Sequence, residues 1–320
     1  MLFSHGFALL GLREPSLFGR TLGSVAVCVF FSLSGYLICQ SWERDPSTKR
    51  FLVRRLLRIM PGLVVAVIFC ALVVGPLATG LPLDRYLSSP AVWSFVLDNI
   101  SLLRPNSALP GVFQTQSIHA VNGSLWTLRY EALMYLLLMG FGMTGALRRW
   151  VPFLLAGAVL AATAFHWIDP AHVPLMWRVD LSAGKLAELS ASFFAGATLY
   201  LFRGRIPLRW APAVLLIPVM QLLPGTVLLA LPYLTITAAQ RLCLPMKNDV
   251  SYGVYIYAFP VQQLFSRYAL AHGLGWLPVL LASTAVTFVL AVLSWILVEK
   301  PSLSLKQRGR ASLKHACSSA

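Results

Sequence analysis

The sequence predicts an all-α integral membrane protein of about ten transmembrane helices, with both termini cytoplasmic and the first helix incomplete. Three observations predict it. Only 12% of the 320 residues are charged, 58% are hydrophobic and the mean hydropathy is +0.72; a water-facing domain carries about a quarter charged residues. Apolar runs near or above the roughly 18-residue length of a spanning helix recur along the whole chain. These runs lack the period-2 alternation that a membrane barrel would show.

The spans are expected at about 1–10, 22–40, 59–78, 124–144, 151–167, 184–202, 209–223, 225–243, 251–271 and 275–298. The first has about half the length a bilayer needs, without the basic leader or small-residue cleavage site of a signal peptide. The expectation is that the chain starts inside this helix. Pro218 and Pro224 interrupt the pair around 209–243, which reads as two short spans or a re-entrant pair. The longest outer loop, about 79–123, holds an amphipathic stretch from Trp93 to Leu103 suited to the interface. Residues 1–300 form the membrane domain, and 301–320 are a short basic cytoplasmic tail.

Charge sets the orientation. With the N-terminus inside, the cytoplasmic segments hold Arg44, Lys49, Arg50, Arg54, Arg55, Arg58, Arg148, Arg149, Arg203, Arg205, Arg209, Arg241 and Lys247. Lys300, Lys306, Arg308, Arg310 and Lys314 join them, against Arg13, Arg20, Arg85, Arg104 and Arg178 outside. That is the positive-inside asymmetry. The net charge of +15 and pI of 10.1 are therefore a topology signal. No basic module with interleaved aromatics is present, which excludes nucleic acid as a partner. The five cysteines, Cys28, Cys39, Cys70, Cys243 and Cys317, have neither CxxC nor metal-ligand spacing and imply no disulfide framework and no metal site. No nucleotide-binding glycine loop or hydrolase serine elbow occurs.

Charges inside a membrane cost roughly 2.5–3.5 kcal/mol each on insertion scales, so those present need a reason. His5 lies in the first apolar segment, reading either as a packing residue bonded to a carbonyl or as an acid–base group. Lys185 and Glu188 have ion-pair spacing, with Lys185 snorkelling. Arg54, Arg55 and Arg58 anchor the third helix at the headgroups, or Arg55 and Arg58, one turn apart, grip phosphates. Glu131 is harder to dismiss. It lies about ten ångströms inside its helix, and Arg129 is too close in sequence to share its face, so its partner is expected on another helix.

Five segments carry a family resemblance. Gly23 to Ile38, with Phe30-Phe31-Ser-Leu-Ser34-Gly35-Tyr36, resembles the second-helix motif of the membrane acyltransferase-3 family. Phe51-Leu-Val-Arg54-Arg55-Leu-Leu-Arg58-Ile-Met-Pro61 is similar to its Arg-x-x-Arg motif. Asn122-Gly-Ser-Leu-Trp126-Thr-Leu-Arg-Tyr-Glu131 resembles its Asn-Gly-Ser-Leu-Trp block, and Asp249-Val-Ser251-Tyr252-Gly253-Val-Tyr255 and Glu299-Lys-Pro301 its late-helix signatures. The resemblance covers essentially the whole chain, and ten spans with both termini inside is the family arrangement.

The resemblance implies transfer of an acyl group, usually acetyl from cytoplasmic acetyl-CoA, to a hydroxyl of an extracytoplasmic or lipid-linked carbohydrate, in the bacterial plasma membrane. No bound cofactor is implied; acyl-CoA is the co-substrate. His5 matches the catalytic histidine, as general base or acyl carrier, and Arg55 and Arg58 the pair that engages acyl-CoA. Glu131 matches the acidic residue of the Trp block. Asn122, Trp126 and Tyr36 stand in the matched motifs as further substrate-contact candidates. Trp126 also reads as a belt residue, and Phe30, Phe31 and Tyr36 also read as packing aromatics. Gly23 and Gly35 read as sites of close helix approach. One departure stands out. The family carries an arginine further ahead of the histidine than the four residues that precede His5 here.

Lipopolysaccharide O-antigen, exopolysaccharide, a lipid-linked precursor or a macrolide-like hydroxyl would all fit as acceptor. A glycan or lipid transporter without acyl transfer is the competing class, since intramembrane charges and broken helices suit it equally.

Overall fold

The computed structural model describes residues 1–104, 106–167, 183–242 and 248–304. Cys243, Cys317, His172, Arg178, Lys247 and the basic residues after Ser304 lie outside them, as does the His166 side chain. Among the described residues the architecture is helical apart from one two-residue-per-strand hairpin, Ser16–Leu17 with Arg20–Thr21. Phe18 and Gly19, at φ 56° and 71°, make its turn, the conformation that two-residue hairpins favour.

A helix stands at each expected span: α1 (Leu2–Leu9), α2 (Leu22–Arg44), α3 (Thr48–Phe69), and, after short α4 (Gly75–Ala78), α5 (Leu83–Ser88) and α6 (Pro90–Ser101), α7 (Trp126–Met143). Then follow α8 (Leu147–Trp167), α9 (Ala183–Leu201), α10 (Trp210–Leu222), α11 (Val227–Leu242), α12 (Ser251–His272) and α13 (Trp276–Ser294). Four are long and apolar enough to cross a membrane by length and composition: Leu22–Arg44, Thr48–Ala78, Leu147–Ala164 and Trp276–Ser304. α10 and α11 are shorter apolar helices joined by a 3-10 turn at Pro224–Thr226, as Pro224 demands. Large apolar side chains stand exposed along them, Leu37, Leu72, Leu215, Leu281 and Phe288 among them. A water-soluble surface does not carry such continuous apolar faces.

α3 starts at Thr48, well before the expected apolar span, and puts Arg54, Arg55 and Arg58 on the body of the helix. Lys and Arg are good helix formers, so charge does not end a helix as it ends an apolar run. Beyond Phe69 the helix passes through a π-turn, Cys70–Val74, into α4. α13 likewise ends in a π-turn, Trp295–Glu299. The expected amphipathic stretch is α6, which buries Val92, Phe95 and Asn99 and exposes Trp93 and Leu97. Tyr86 of α5 ties this loop down: its hydroxyl donates to the Ala71 carbonyl at 2.7 Å, and burial pushes the phenol up to about 12.

The chain divides into two compact units. The first holds Pro15–Phe51 and Leu128–Pro245, the second Leu2–Glu14, Leu52–Thr127 and Met246–Ala320. In the first, α2 packs against α9 and α11, α9 against α8, and α10 against α11. The α2–α9 crossing depends on two glycines. A methyl group at Gly35 would overlap the Phe193 carbonyl oxygen, and one at Gly196 would overlap that of Ser32. Gly35 thus serves the close approach expected of it. Phe18, Val25, Cys28, Met220, Val227 and Leu231 form an apolar cluster at the hairpin end. In the second unit α12 packs against α13, and α1 lies against both.

Candidate active site

Three of the motif segments meet at the start of α12. Asp249 accepts from the backbone N–H of Ser251 at 3.2 Å and from its hydroxyl, so it caps the helix. Its other oxygen takes the Arg58 Nη2 of α3 at 2.6 Å. Arg58 Nη1 lies 3.8 Å from Glu299, whose side chain is 2% exposed. The π-turn carries Glu299 inward, and Ser294 donates to its Oε1 at 3.0 Å. Tyr252 donates to the Ile59 carbonyl at 2.8 Å, and Trp295 to Asn248 at 3.3 Å. Arg58 is therefore an arginine held between two carboxylates, one buried and one half-exposed. Arg55 lies one turn earlier on α3, half-buried.

His5, on α1, stands beside the middle of α12. Its ring meets Phe259 of α12 edge-on, centroids 5.0 Å apart, and Nδ1 is buried with no hydrogen-bond partner among the described residues. Ser4 beside it donates to Glu14. From Asp249 to Gln262, which donates to the Leu2 carbonyl at the start of α1, is about thirteen residues, or roughly 20 Å of chain at helical rise.

Asn122 does not face outward. It is buried, donates to the Ile256 carbonyl at 2.9 Å and accepts the Ser124 N–H at 3.1 Å. Its amide binds the loop before α7 to α12 and so fixes where Trp126, the first residue of α7, emerges. Thr127 and Tyr255 share a hydroxyl hydrogen bond, and Tyr255 donates to the Ser124 carbonyl at 2.6 Å, fastening the same loop.

In the first unit Glu131 is buried and accepts from the Tyr135 hydroxyl. This partner is one turn on along its own helix. The Tyr135 hydroxyl is also 3.2 Å from Ser34 of α2. Tyr36 accepts from Gln240 at 2.5 Å and meets the Tyr200 ring edge-on at 5.2 Å. Glu188 pairs with Arg20, with Cys28 donating to the same oxygen at 3.5 Å; the expected partner was Lys185. Cys28, Cys39 and Cys70 are buried and unbridged, and no group of three metal-ligating residues occurs among the described residues.

Residues 1–297 match the acyltransferase domain of the acyltransferase-3 family. The chain belongs to that family. It is 32% identical over 324 residues to the O-acetyl transferase of Shigella phage Sf6, covering 95% of this chain and 92% of the relative. It is 27% identical over 350 residues to nodulation protein 10 of Rhizobium leguminosarum bv. viciae, covering 96% and 90%. No solved structure matches it.

As an acyltransferase, the protein has its sequence-derived candidates in two groups. His5, Arg55, Arg58, Asn122 and Trp126 belong to the second unit, Tyr36 and Glu131 to the first. Sequence reasoning assigned no role to Asp249 or Glu299, although both stand in matched motifs. The usable signal was a basic motif in a low-charge membrane chain, which calls for carboxylates to balance it.

Proposed function

We propose that this protein is a multi-pass O-acetyltransferase of the bacterial plasma membrane, with about ten spans and both termini cytoplasmic. It transfers acetyl from cytoplasmic acetyl-CoA to a hydroxyl of an extracytoplasmic or lipid-linked carbohydrate. The observation that carries this reading is the near full-length similarity to the phage O-acetyl transferase. The family match begins at residue 1 and so takes in His5. The lopsided distribution of Arg and Lys supports the orientation, and the relatives come from a phage and a bacterium. Membership of an acyltransferase family disfavours transport without acyl transfer.

His5 acts as general base. It takes the proton of the acceptor hydroxyl, the oxygen attacks the thioester carbonyl, and the C–S bond breaks to release CoA as its thiol. Arg55 and Arg58 hold donor phosphates, for which a guanidinium pair one turn apart is suited. Glu299 orients Arg58 from within, and half-exposed Asp249 is the partner a phosphate displaces. Glu131 is the second catalytic candidate, its carboxylate aligned by Tyr135. Trp126 and Tyr36 contact substrate, and Asn122 positions Trp126.

The test is transfer of labelled acetyl from acetyl-CoA to glycan by membranes holding the protein. His5→Ala should lower it by about 10²–10⁴-fold, the usual worth of a general base. Acetyl-CoA should protect Arg55 and Arg58 from phenylglyoxal. Undiminished transfer by His5→Ala, or no donor protection, overturns the assignment.

A further inference from the structure

α8 begins with a charge that its own dipole disfavours. The helix opens on Arg148 and Arg149 with no acidic residue in its first turn, although the positive end of a helix dipole favours anions. As topology anchors the two arginines need only water around them. Here they line a cavity of about 410 Å³, together with Trp42 and Glu43 at the end of α2 and Gly145 and Ala146 in the turn that joins α7 to α8. All of these residues belong to the first unit.

The wall of the cavity is firm. Trp42 is 4% exposed and stands edge-on to Phe51, ring centroids 5.3 Å apart, and a methyl group at Gly142 would overlap its indole. At Gly145 an added methyl group would meet nothing within 4 Å. The same turn therefore closes on Trp42 at one glycine and leaves room at the other. Charge around the space is unbalanced. Glu43 lies 3.8 Å from Arg203 Nη1, which answers it. Arg148 and Arg149 are exposed, and neither has a carboxylate partner among the described residues. Arg149 leans only on the Trp150 ring, 5.7 Å from its centroid. Two guanidiniums and the start of a helix around one space call for an anion, and a phosphate suits them because guanidinium grips it bidentately.

The neighbours say what carries the phosphate. Only 11% of the apolar stretch Leu147–Ala164 is buried, so α8 faces lipid and its two arginines stand at headgroup depth. Trp150 and Phe153, exposed next along the helix, offer acyl chains an apolar path away from the cavity. A soluble nucleotide finds no free aromatic face on Trp42, which is already covered. We propose that this cavity binds the headgroup of an anionic phospholipid of the phosphatidylglycerol kind. Arg148 and Arg149 hold the phosphate, and Glu43 accepts from the headgroup hydroxyls. The lipid thereby clips the end of α2 to the turn between α7 and α8. The site does not depend on the acetyltransferase reading; its leaflet, the cytoplasmic one, rests on the orientation proposed above.

The experiment titrates the purified full chain, in mild detergent, with dioleoylphosphatidylglycerol and counts bound lipid by native mass spectrometry. One saturable site is expected, with dioleoylphosphatidylcholine at least about tenfold weaker. Arg148→Gln with Arg149→Gln should weaken the site about thirtyfold, at roughly fivefold per arginine. Ala146→Trp fills the space without changing charge and should weaken it by a similar factor. Arg205→Gln with Arg209→Gln removes the same charge from exposed positions outside the cavity and should leave it unchanged. The lipid-free melting temperature of the Arg148/Arg149 variant should match the parent's, since neither guanidinium pairs with another element. No saturable site, equal loss in both arginine pairs, or full affinity in Ala146→Trp means a diffuse basic surface and overturns the proposal. A drop in the lipid-free melting temperature means a structural role for the arginines and overturns it equally. Displacement of the lipid by inorganic phosphate or CoA at equal concentration assigns the cavity to a soluble phosphate and overturns the lipid.

Discussion

Asp249→Asn removes one charge from the arginine cluster and almost nothing else. Asparagine keeps a side-chain oxygen, so the cap over the Ser251 N–H survives. What goes is the anion facing Arg58 at 2.6 Å. Coulomb's law at that distance, with an effective dielectric of about 20, gives roughly 6 kcal/mol gross. Most of this is cancelled by solvent, because the Asp249 side chain is 46% exposed and that of Arg58 27%. Pairs of this kind measure about 0.2–1 kcal/mol net. A donor phosphate that must displace Asp249 recovers that amount in the variant. The dissociation constant of CoA should therefore fall by about 1.4- to 5-fold, read by isothermal titration calorimetry on purified protein. Raising salt should shrink the difference, since the pair is screened. A weaker affinity for CoA in Asp249→Asn would refute the reasoning: Asp249 would then be aiming Arg58 rather than competing for it.

Arg58→Ala strands Glu299, 2% exposed, as a buried charge without its cation. It should cost about 3–5 kcal/mol of stability in thermal melts, and Arg58→Ala with Glu299→Gln should recover more than half. Glu131→Gln keeps a group able to accept from Tyr135, so acetyl transfer should fall at least tenfold while the melting temperature stays within a few degrees. Gly35→Ala forces a methyl group onto the Phe193 carbonyl. The overpacking should cost about 1–3 kcal/mol, seen as a lower melting temperature, and Gly157→Ala, whose added methyl group would meet no atom within 4 Å, serves as the control.

Helix positions were legible because an apolar run long enough to span a bilayer is a local signal, and breaks such as Pro224 are local too. The start of α3 was not, since its first turns are rich in Arg and Lys and hydropathy does not register them as helix. Partners were least legible. Arg20 and Glu188 lie 168 residues apart, and Arg58 and Asp249 lie 191 apart, and no periodicity says which helices become neighbours. Spacing suggested Lys185 for Glu188, and a partner on another helix for Glu131. The first overlooks that packing brings a distant arginine to the carboxylate; the second did not name the tyrosine one turn on that donates to Glu131. His5, Arg55 and Arg58 stood out as ionisable groups in or beside apolar segments, and the motif resemblance then suggested their roles. The carboxylates that clamp Arg58 and the bond from Gln262 to α1 appear only once α1, α3, α12 and α13 are folded together.

The π-turn at Trp295–Glu299 makes the electrostatics of the cluster a matter of counting. One residue of an α-helix corresponds to about 100° of rotation, so a turn holding one residue more than its neighbours works like a tooth on a key. Deleting any residue between Trp295 and Val298 would let the segment relax to α-helix and swing Glu299 off Arg58, though no charge had been altered. Homologous chains can thus keep every ionisable residue of this cluster and still differ in whether it closes, depending on the length of one turn.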